Sequence, residues 1–236
     1  MQRRFDDDWM PFFLASLLCV SFAVLEWWRY FHPVSLNPWV PTAMAIMLMT
    51  YSAFRMTGMR QTMQNLRLGM EGERSVGQSL EGLRANGAIV FHDIPAKRFN
   101  VDHIVVSPKG VYVIETKTRR KPAGRRATVT FDGENVLVDG ISPDRDPVQQ
   151  AKAISSWVQE LIWESTGKSF PVKPVVLFPG WYVDAINPAA HRKVWVLNPK
   201  NLPSFMEHVN DGISPEDVKL IAYHISRYIR TVGASR

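Results

Sequence analysis

Residues 100–117, NVDHIVVSPKGVYVIETK, decide the reading of this 236-residue chain. Two runs rich in Val, Ile and Tyr flank Ser107-Pro108-Lys109-Gly110, and Pro at the second and Gly at the fourth place of a four-residue turn is the type I signature. The pattern predicts a β-hairpin. With Pro108 and Lys109 as its loop, Ser107 faces Gly110, and stepping outward Val105 meets Tyr112, His103 meets Ile114 and Asp102 meets Glu115. Directly opposed residues share a face, with Cβ atoms about 4.5–5.5 Å apart.

Two carboxylates are thus expected side by side at the open end of an apolar hairpin, an arrangement that repels itself. A divalent cation between Asp102 and Glu115 would remove the repulsion, because hard cations such as Mg²⁺ are held by one or two carboxylates together with water and substrate phosphate. Lys117 lies two residues beyond Glu115, so the strand period returns it to the same face. An ammonium group beside a phosphate or an attacking water is suited to phosphodiester hydrolysis. Taken alone, a carboxylate at a strand end is commonly a solvated rim residue; three such residues on one face are less easily explained that way. His103 alternates to the opposite face and reads as a packing residue, and His92 and His191 read as isolated.

Asp102, a hairpin, then Glu115-Thr116-Lys117 resembles the core of the PD-(D/E)xK nuclease superfamily, although Val101 stands where the superfamily name has Pro. With Gly72-Glu73 on an upstream helix and Pro147-Val148-Gln149-Gln150 opening a downstream one, the stretch 69–198 is similar to the nuclease-related domain, NERD. The resemblance implies a restriction-endonuclease-like αβββαβ fold, a mixed sheet flanked by helices. It also implies a Mg²⁺-dependent nuclease, with Mn²⁺ as an alternative ion. Asp102 and Glu115 would hold the metal, Glu73 would point towards it, Lys117 would stabilise charge, and Gln150 would contact the scissile phosphate or a water on the metal. DNA is favoured over RNA as the substrate. A non-catalytic module that binds nucleic acid or a partner is the alternative on the same residues.

The remaining elements fit around the hairpin. Glu73, Val76, Leu80 and Leu83 recur at helical spacing, whereas Glu71 points away from them. Residues 88–94 read as the first strand, and 127–131 and 135–138 as a second hairpin around Asp132-Gly133-Glu134. Asp146-Pro147 is a helix start, an N-cap followed by Pro at the first position, and the helix puts Gln150, Ile154, Trp157 and Leu161 on one face. Strands are expected over 172–178 and 193–197 and a helix over 215–230. Arg119, Arg120, Lys121, Arg125 and Arg126 form a basic run directly after the Glu-x-Lys strand, either a solvated loop or a set of phosphate contacts.

The N-terminus differs in kind. Residues 10–28 carry one acidic side chain, Glu26, and residues 34–54 carry no charge, each close to the ~20 residues that cross a bilayer. Trp9, Trp27, Trp28 and Trp39 lie at their ends, where aromatic rings favour the membrane interface. The expectation is a transmembrane hairpin over 1–54, a partly helical juxtamembrane linker over 55–68, and a helical segment over 199–236 after the domain. Arg3 and Arg4 before the first run, and Arg55, Arg60 and Arg67 after the second, outnumber Arg29 in the loop, which places both ends in the cytoplasm, at a bacterial inner membrane. The lone Cys19 can form no internal disulfide. The whole chain carries +6; residues 1–54 hold three basic and four acidic side chains, so the remainder carries +7. A basic domain of this kind has polyanionic nucleic acid or anionic lipid as natural partners. No zinc spacing, Walker loop or dinucleotide fingerprint is present.

Overall fold

The computed structural model describes residues 2–32, 39–96, 99–122, 124, 126–187, 189–210 and 212–234. The chain divides into two compact units, Met1–Gly58 and Met59–Arg236.

The first unit contains α1 (Gln2–Phe31) and the beginning of α2 (Trp39–Glu81). Its described apolar side chains, among them Leu18, Phe22, Trp27, Trp28, Met47 and Phe54, are exposed. Among the described residues no helix is long and apolar enough to cross a membrane, so the transmembrane hairpin expected over 10–28 and 34–54 is not supported there. Residues 34–38 lie outside the described residues, as do the side chains of residues 10–13 that open the first run.

The stretch 55–68, expected to be partly helical, is helical throughout, because α2 runs through it without a break. The stretch RMTGMRQTMQNLRL is polar, but its Arg, Met, Gln and Leu residues are good helix formers and outnumber the weak ones, Thr57, Gly58, Thr62 and Asn65.

In the second unit a five-stranded mixed sheet has the order β1-β2-β3-β6-β8. Its strands are β1 (Ile89–Pro95), β2 (Asn100–Ser107), β3 (Gly110–Thr116), β6 (Val172–Leu177) and β8 (Trp195–Leu197). The first three are antiparallel, and β6 and β8 add in parallel. The central hairpin has the expected register, Ser107 opposite Gly110, Val105 opposite Tyr112 and His103 opposite Ile114. Gly110 takes φ +130°, a conformation open to glycine and strained for other residues. The Ser107 hydroxyl accepts from the Lys109 amide at 3.2 Å, and the Tyr112 hydroxyl donates to the Lys109 carbonyl at 2.9 Å, which pins the turn.

One face of this sheet is covered by the later part of α2 and the 3-10 turn that follows it (Gly82–Asn86), where Val76, Leu80 and Leu83 pack with Val90, Val105, Tyr112 and Ile114. The other face meets α3 (Pro147–Thr166) and α4 (Pro215–Ala234) through Ile154, Val158, Ile162, Val218, Ile221 and Ile225. The C-terminal helix is therefore part of the core of this unit. The buried stripe of α3 centres on Ile154, Val158 and Ile162; Trp157, expected on the stripe, sits at its margin, and Leu161 is half-buried. A second, three-stranded sheet has the order β5-β4-β7 and contains β4 (Thr128–Phe131), β5 (Val136–Val138) and β7 (Tyr182–Ala185). The β4–β5 hairpin agrees with the sequence expectation, while β7 is a four-residue strand that its short pattern did not announce.

Candidate active site

The candidate residues converge at the end of β3 where the chain leaves the sheet. Glu115 sits next to β6, opposite Val176, and is 4% exposed. Lys117 continues that edge, its amide donating to the Leu177 carbonyl at 2.9 Å. The Lys117 Nζ then turns back to donate to Glu115 Oε1 at 2.7 Å and to Gln150 Oε1 at 2.9 Å. Gln150 Nε2 donates to the same Glu115 Oε1 at 2.7 Å. Three groups from two elements thus close a triangle on one carboxylate oxygen.

The helix start explains how Gln150 arrives there. Asp146 caps α3 by accepting from the Val148 amide at 2.8 Å, Pro147 occupies the first turn, and Gln150 follows one turn into the helix. Asp102 stands one step beyond the His103–Ile114 pair, and its Oδ2 accepts from the Thr116 amide at 2.7 Å. The carboxylate is therefore turned onto the backbone of β3, one residue past Glu115, in place of a purely side-by-side pair.

Glu73 comes from α2, and the preceding glycine shows why it can. A Cβ on the buried Gly72 would run into Thr118 Oγ1, so glycine lets the helix approach the end of β3 and bring Glu73 with it. Glu73 is half-buried and Glu71 is exposed, as the helical spacing predicted.

Electrostatics tie these groups together. Burial pushes the Glu115 carboxyl up to about 7, with the Asp102 charge adding to the rise and Lys117 pulling against it. Burial also raises Asp102, opposed by the Thr116 amide and Lys117. Glu73 is raised by burial, then by Asp102 and Asp93.

Asp93 is the site neighbour that sequence reasoning missed. It lies between the pairs His92–His103 and Ile94–Val101, hence across from Asp102, and takes φ +51° within β1. Left-handed backbone in a non-glycine strand residue is uncommon. The signal in the sequence was only an Asp in a strand, and no turn signature fixed the β1–β2 register.

The histidines also depart from expectation. His92 and His103 are opposite one another, with Nδ1 to Nδ1 at 2.8 Å, and His92 Nε2 meets Glu81 Oε1 at 2.8 Å. His103 is buried, as a packing residue would be, and burial followed by the neighbouring His92 lowers it to about 4. The pair was not legible because it depends on the same unannounced register.

The basic run is partly engaged with the protein itself. Arg120 Nη2 donates to Gln64 Oε1 at 3.0 Å, the Arg126 guanidinium lies 3.5 Å from the centre of the Tyr182 ring, and Arg119 is 3.9 Å from Asp144. Lys121 lies against Gly180. Arg125 lies outside the described residues. A cleft of about 240 Å³ opens beside Lys117, bounded by Thr118, Arg119 and Arg145.

A divalent cation fits the acidic corner in one specific respect. Glu115 Oε1 is held by Lys117 and Gln150, while Oε2 is buried with no hydrogen-bond partner. A bare, buried carboxylate oxygen is costly, and a cation is the partner that removes the cost. Asp102 and Glu115 would then be the protein ligands. Among the described residues no group of three or more acidic, His or Cys side chains is arranged to hold a metal, so water and substrate oxygens would fill the remaining positions.

A mixed sheet flanked by helices, with two carboxylates and a lysine at one strand end, fits a nuclease-like α/β fold. Residues 68–179 match the family model of NERD, the nuclease-related domain, which supports the nuclease-related family for this segment and a nuclease-related function. Neither the curated proteins nor the solved structures contain a match.

Proposed function

We propose that the chain is a metal-dependent nuclease that hydrolyses phosphodiester bonds, with DNA favoured over RNA. The observation that carries this reading is the division of labour on Glu115: one oxygen is fixed by Lys117 and Gln150, and the other is buried and bare. Mg²⁺, or Mn²⁺ in its place, would lie against Glu115 Oε2 and the Asp102 carboxylate and would supply charge neutralisation to the phosphate being attacked. Asp102 is oriented for this by the Thr116 amide. Lys117 brings a cation to the same corner, where it offsets the negative charge that grows on the phosphate oxygens as water oxygen bonds to phosphorus and the phosphorus–oxygen ester bond breaks. Gln150 holds both Lys117 and Glu115 in place, and Glu73 contributes a further acceptor for water. The basic residues Arg119, Arg120, Lys121, Arg125 and Arg126 would meet the nucleic-acid backbone.

The deciding experiment is incubation of the purified full chain with labelled single- and double-stranded DNA and RNA, in Mg²⁺, Mn²⁺ or chelator. Metal-dependent cleavage is expected. The second reading is a binding module without turnover on the same residues. It prevails if nothing is cleaved and Asp102→Asn binds DNA as well as the wild type does.

We further propose that the first unit attaches the domain to a lipid bilayer, at a bacterial inner membrane with the domain on the cytoplasmic side. The exposed apolar side chains of α1 and of the start of α2 support attachment. Fractionation should find the full chain with membranes and a chain lacking residues 1–58 in the soluble fraction; equal partitioning would remove this part of the reading.

A further inference from the structure

The cleft of about 240 Å³ beside Lys117 lies where three strands end: β3 just before Lys117, β5 at Val138 and β6 just before Phe178, with the loop that leads into α3 closing it. Val138 and Phe178 pack in one buried cluster and, with Pro143, give the cleft an apolar wall. Its charged wall, among the described residues, is Lys117, Arg119 and Arg145 against a single carboxylate, Asp144. Neither Glu115 nor Asp102 is among the described residues that line it. The cleft therefore begins where the acidic corner stops, and Lys117 is common to both.

The cations on this wall are not used up by the protein. The Lys117 ammonium has three donors, and Glu115 and Gln150 take two of them. Arg145 stands between two aspartates in the sequence, yet neither neutralises it. Asp146 is turned onto the first turn of α3, where it accepts from the Val148 and Gln149 amides at 2.8 and 3.2 Å. Asp144 is 3.9 Å from Arg119, and its side chain is 99% exposed. Arg145 makes no hydrogen bond or ion pair with the described residues. A guanidinium presents its N–H donors in a planar fork that matches the oxygens of a phosphate, and this one lines a cleft with the fork unengaged.

We infer that this cleft seats the phosphodiester group next to the one being cleaved, together with its sugar, and that Arg145 is the residue that grips it. The space is smaller than the roughly 300–1,000 Å³ of pockets that enclose a drug-sized ligand, so it takes a sugar and its phosphate and leaves the base outside. An anion carried on a ring with an apolar face matches cations on one side and Val138, Pro143 and Phe178 on the other. Lys117, at the boundary, meets the phosphate under attack. Arg145 holds the strand one step further on, which sets the reacting bond against the Glu115 corner.

The inference rests on the nucleic-acid reading of the preceding subsection, and its test separates the two. Binding of the full chain to a fluorescent single-stranded DNA oligomer is measured in EDTA over a range of salt, beside cleavage of the same oligomer in Mg²⁺. Arg145→Gln should weaken binding by about fivefold or more and lower the salt slope of log K by about 0.7, the share of one phosphate contact on a single strand. Arg145→Lys keeps the charge and loses the fork, so it should retain the slope and only part of the affinity. Asp144→Asn removes the one carboxylate of this wall from a side chain that is 99% exposed, so it should tighten binding by about twofold, and it keeps the test available if the arginine variants fail to fold. Glu164→Gln, the same charge change at the far end of α3, is the control and should bind as the wild type does. Wild-type affinity and slope in Arg145→Gln, or Asp144→Asn binding no more tightly than Glu164→Gln, overturns the seat. Weaker binding by Arg145→Gln without cleavage by the wild type overturns hydrolysis alone, cleavage by a wild type that Arg145→Gln matches in binding overturns the seat alone, and no binding by the wild type overturns both.

Discussion

The two sides of Lys117 are built differently. Before it, Glu115 is buried, and its contacts to Lys117 and Gln150 measure 2.7 Å each. After it, the chain enters a basic run in which Arg119 is 3.9 Å from an Asp144 side chain that is 99% exposed. An ion pair of the second kind contributes about 0–1 kcal/mol and weakens with salt, whereas a buried, hydrogen-bonded carboxylate is strongly coupled to its partners. The buried corner can therefore set the chemistry and the exposed run only the affinity.

The largest effects should come from the carboxylates. Glu115→Gln and Asp102→Asn should lower turnover by roughly 10³-fold or more, since each removes a proposed metal ligand, and should abolish the rise in melting temperature expected with Mg²⁺. The domain should remain folded, because both changes remove a buried charge while keeping the shape. Persistence of the Mg²⁺ shift in both variants would separate the metal from this corner.

Lys117→Ala should differ in kind. It leaves both ligands in place, so the Mg²⁺-induced shift should survive while turnover falls by roughly 10²–10³-fold. Loss of the shift together with activity would make Lys117 a structural partner of Glu115 and blur the contrast between the two sides.

The buried corner also predicts a pH dependence. Glu115 is raised from 4.5 to about 7, so between these values the folded state holds a proton that the unfolded chain has released. Stability of the metal-free protein should fall as pH rises from 4.5 to 7 and then level off, by on the order of 3 kcal/mol. Asp102 and Glu73, also raised, act in the same direction. Denaturant melts at pH 5 and pH 8 should show the loss for the wild type and most of it removed in Glu115→Gln. A wild type more stable at pH 8 would contradict the burial of Glu115 as an uncompensated charge.

What could be read in the sequence follows where local chemistry fixed geometry. Pro108 and Gly110 set the turn, and the turn set the register, so the hairpin positions of Asp102 and Glu115 were legible. Asp146-Pro147 fixed the start of α3 and so the turn carrying Gln150. Glu73 followed from helical periodicity. The β1–β2 pairing has no comparable marker in its connection, so neither Asp93 nor the His92–His103 contact could be placed. Thr116 is a similar case: a backbone amide leaves no trace in the sequence, yet it is what Asp102 accepts from. At the N-terminus, hydropathy suggested spans that the described helices do not support, and the stretch expected to be partly helical is helical throughout.

The smallest effects should come from the basic run, and they test the exposed side of the contrast. Arg126 is stacked on Tyr182 and Arg120 is bonded to Gln64, so these two have local partners to lose as well as a nucleic acid to meet. Arg119, whose contact to Asp144 is long at 3.9 Å, and Lys121 are freer to reach a phosphate. Replacing Arg119 and Lys121 by Gln should weaken binding for all sequences alike and lower the salt slope of log K by about one unit per lost contact. Replacing Arg126 should lower the slope less and also loosen the packing of Tyr182, which changes in tyrosine fluorescence or proteolysis near residue 182 can report. Turnover of saturated enzyme should be unchanged throughout, because none of these residues touches Glu115. A drop in turnover at saturation would extend the catalytic corner past Lys117, and an unchanged salt slope would assign the run to solvent or to anionic lipid.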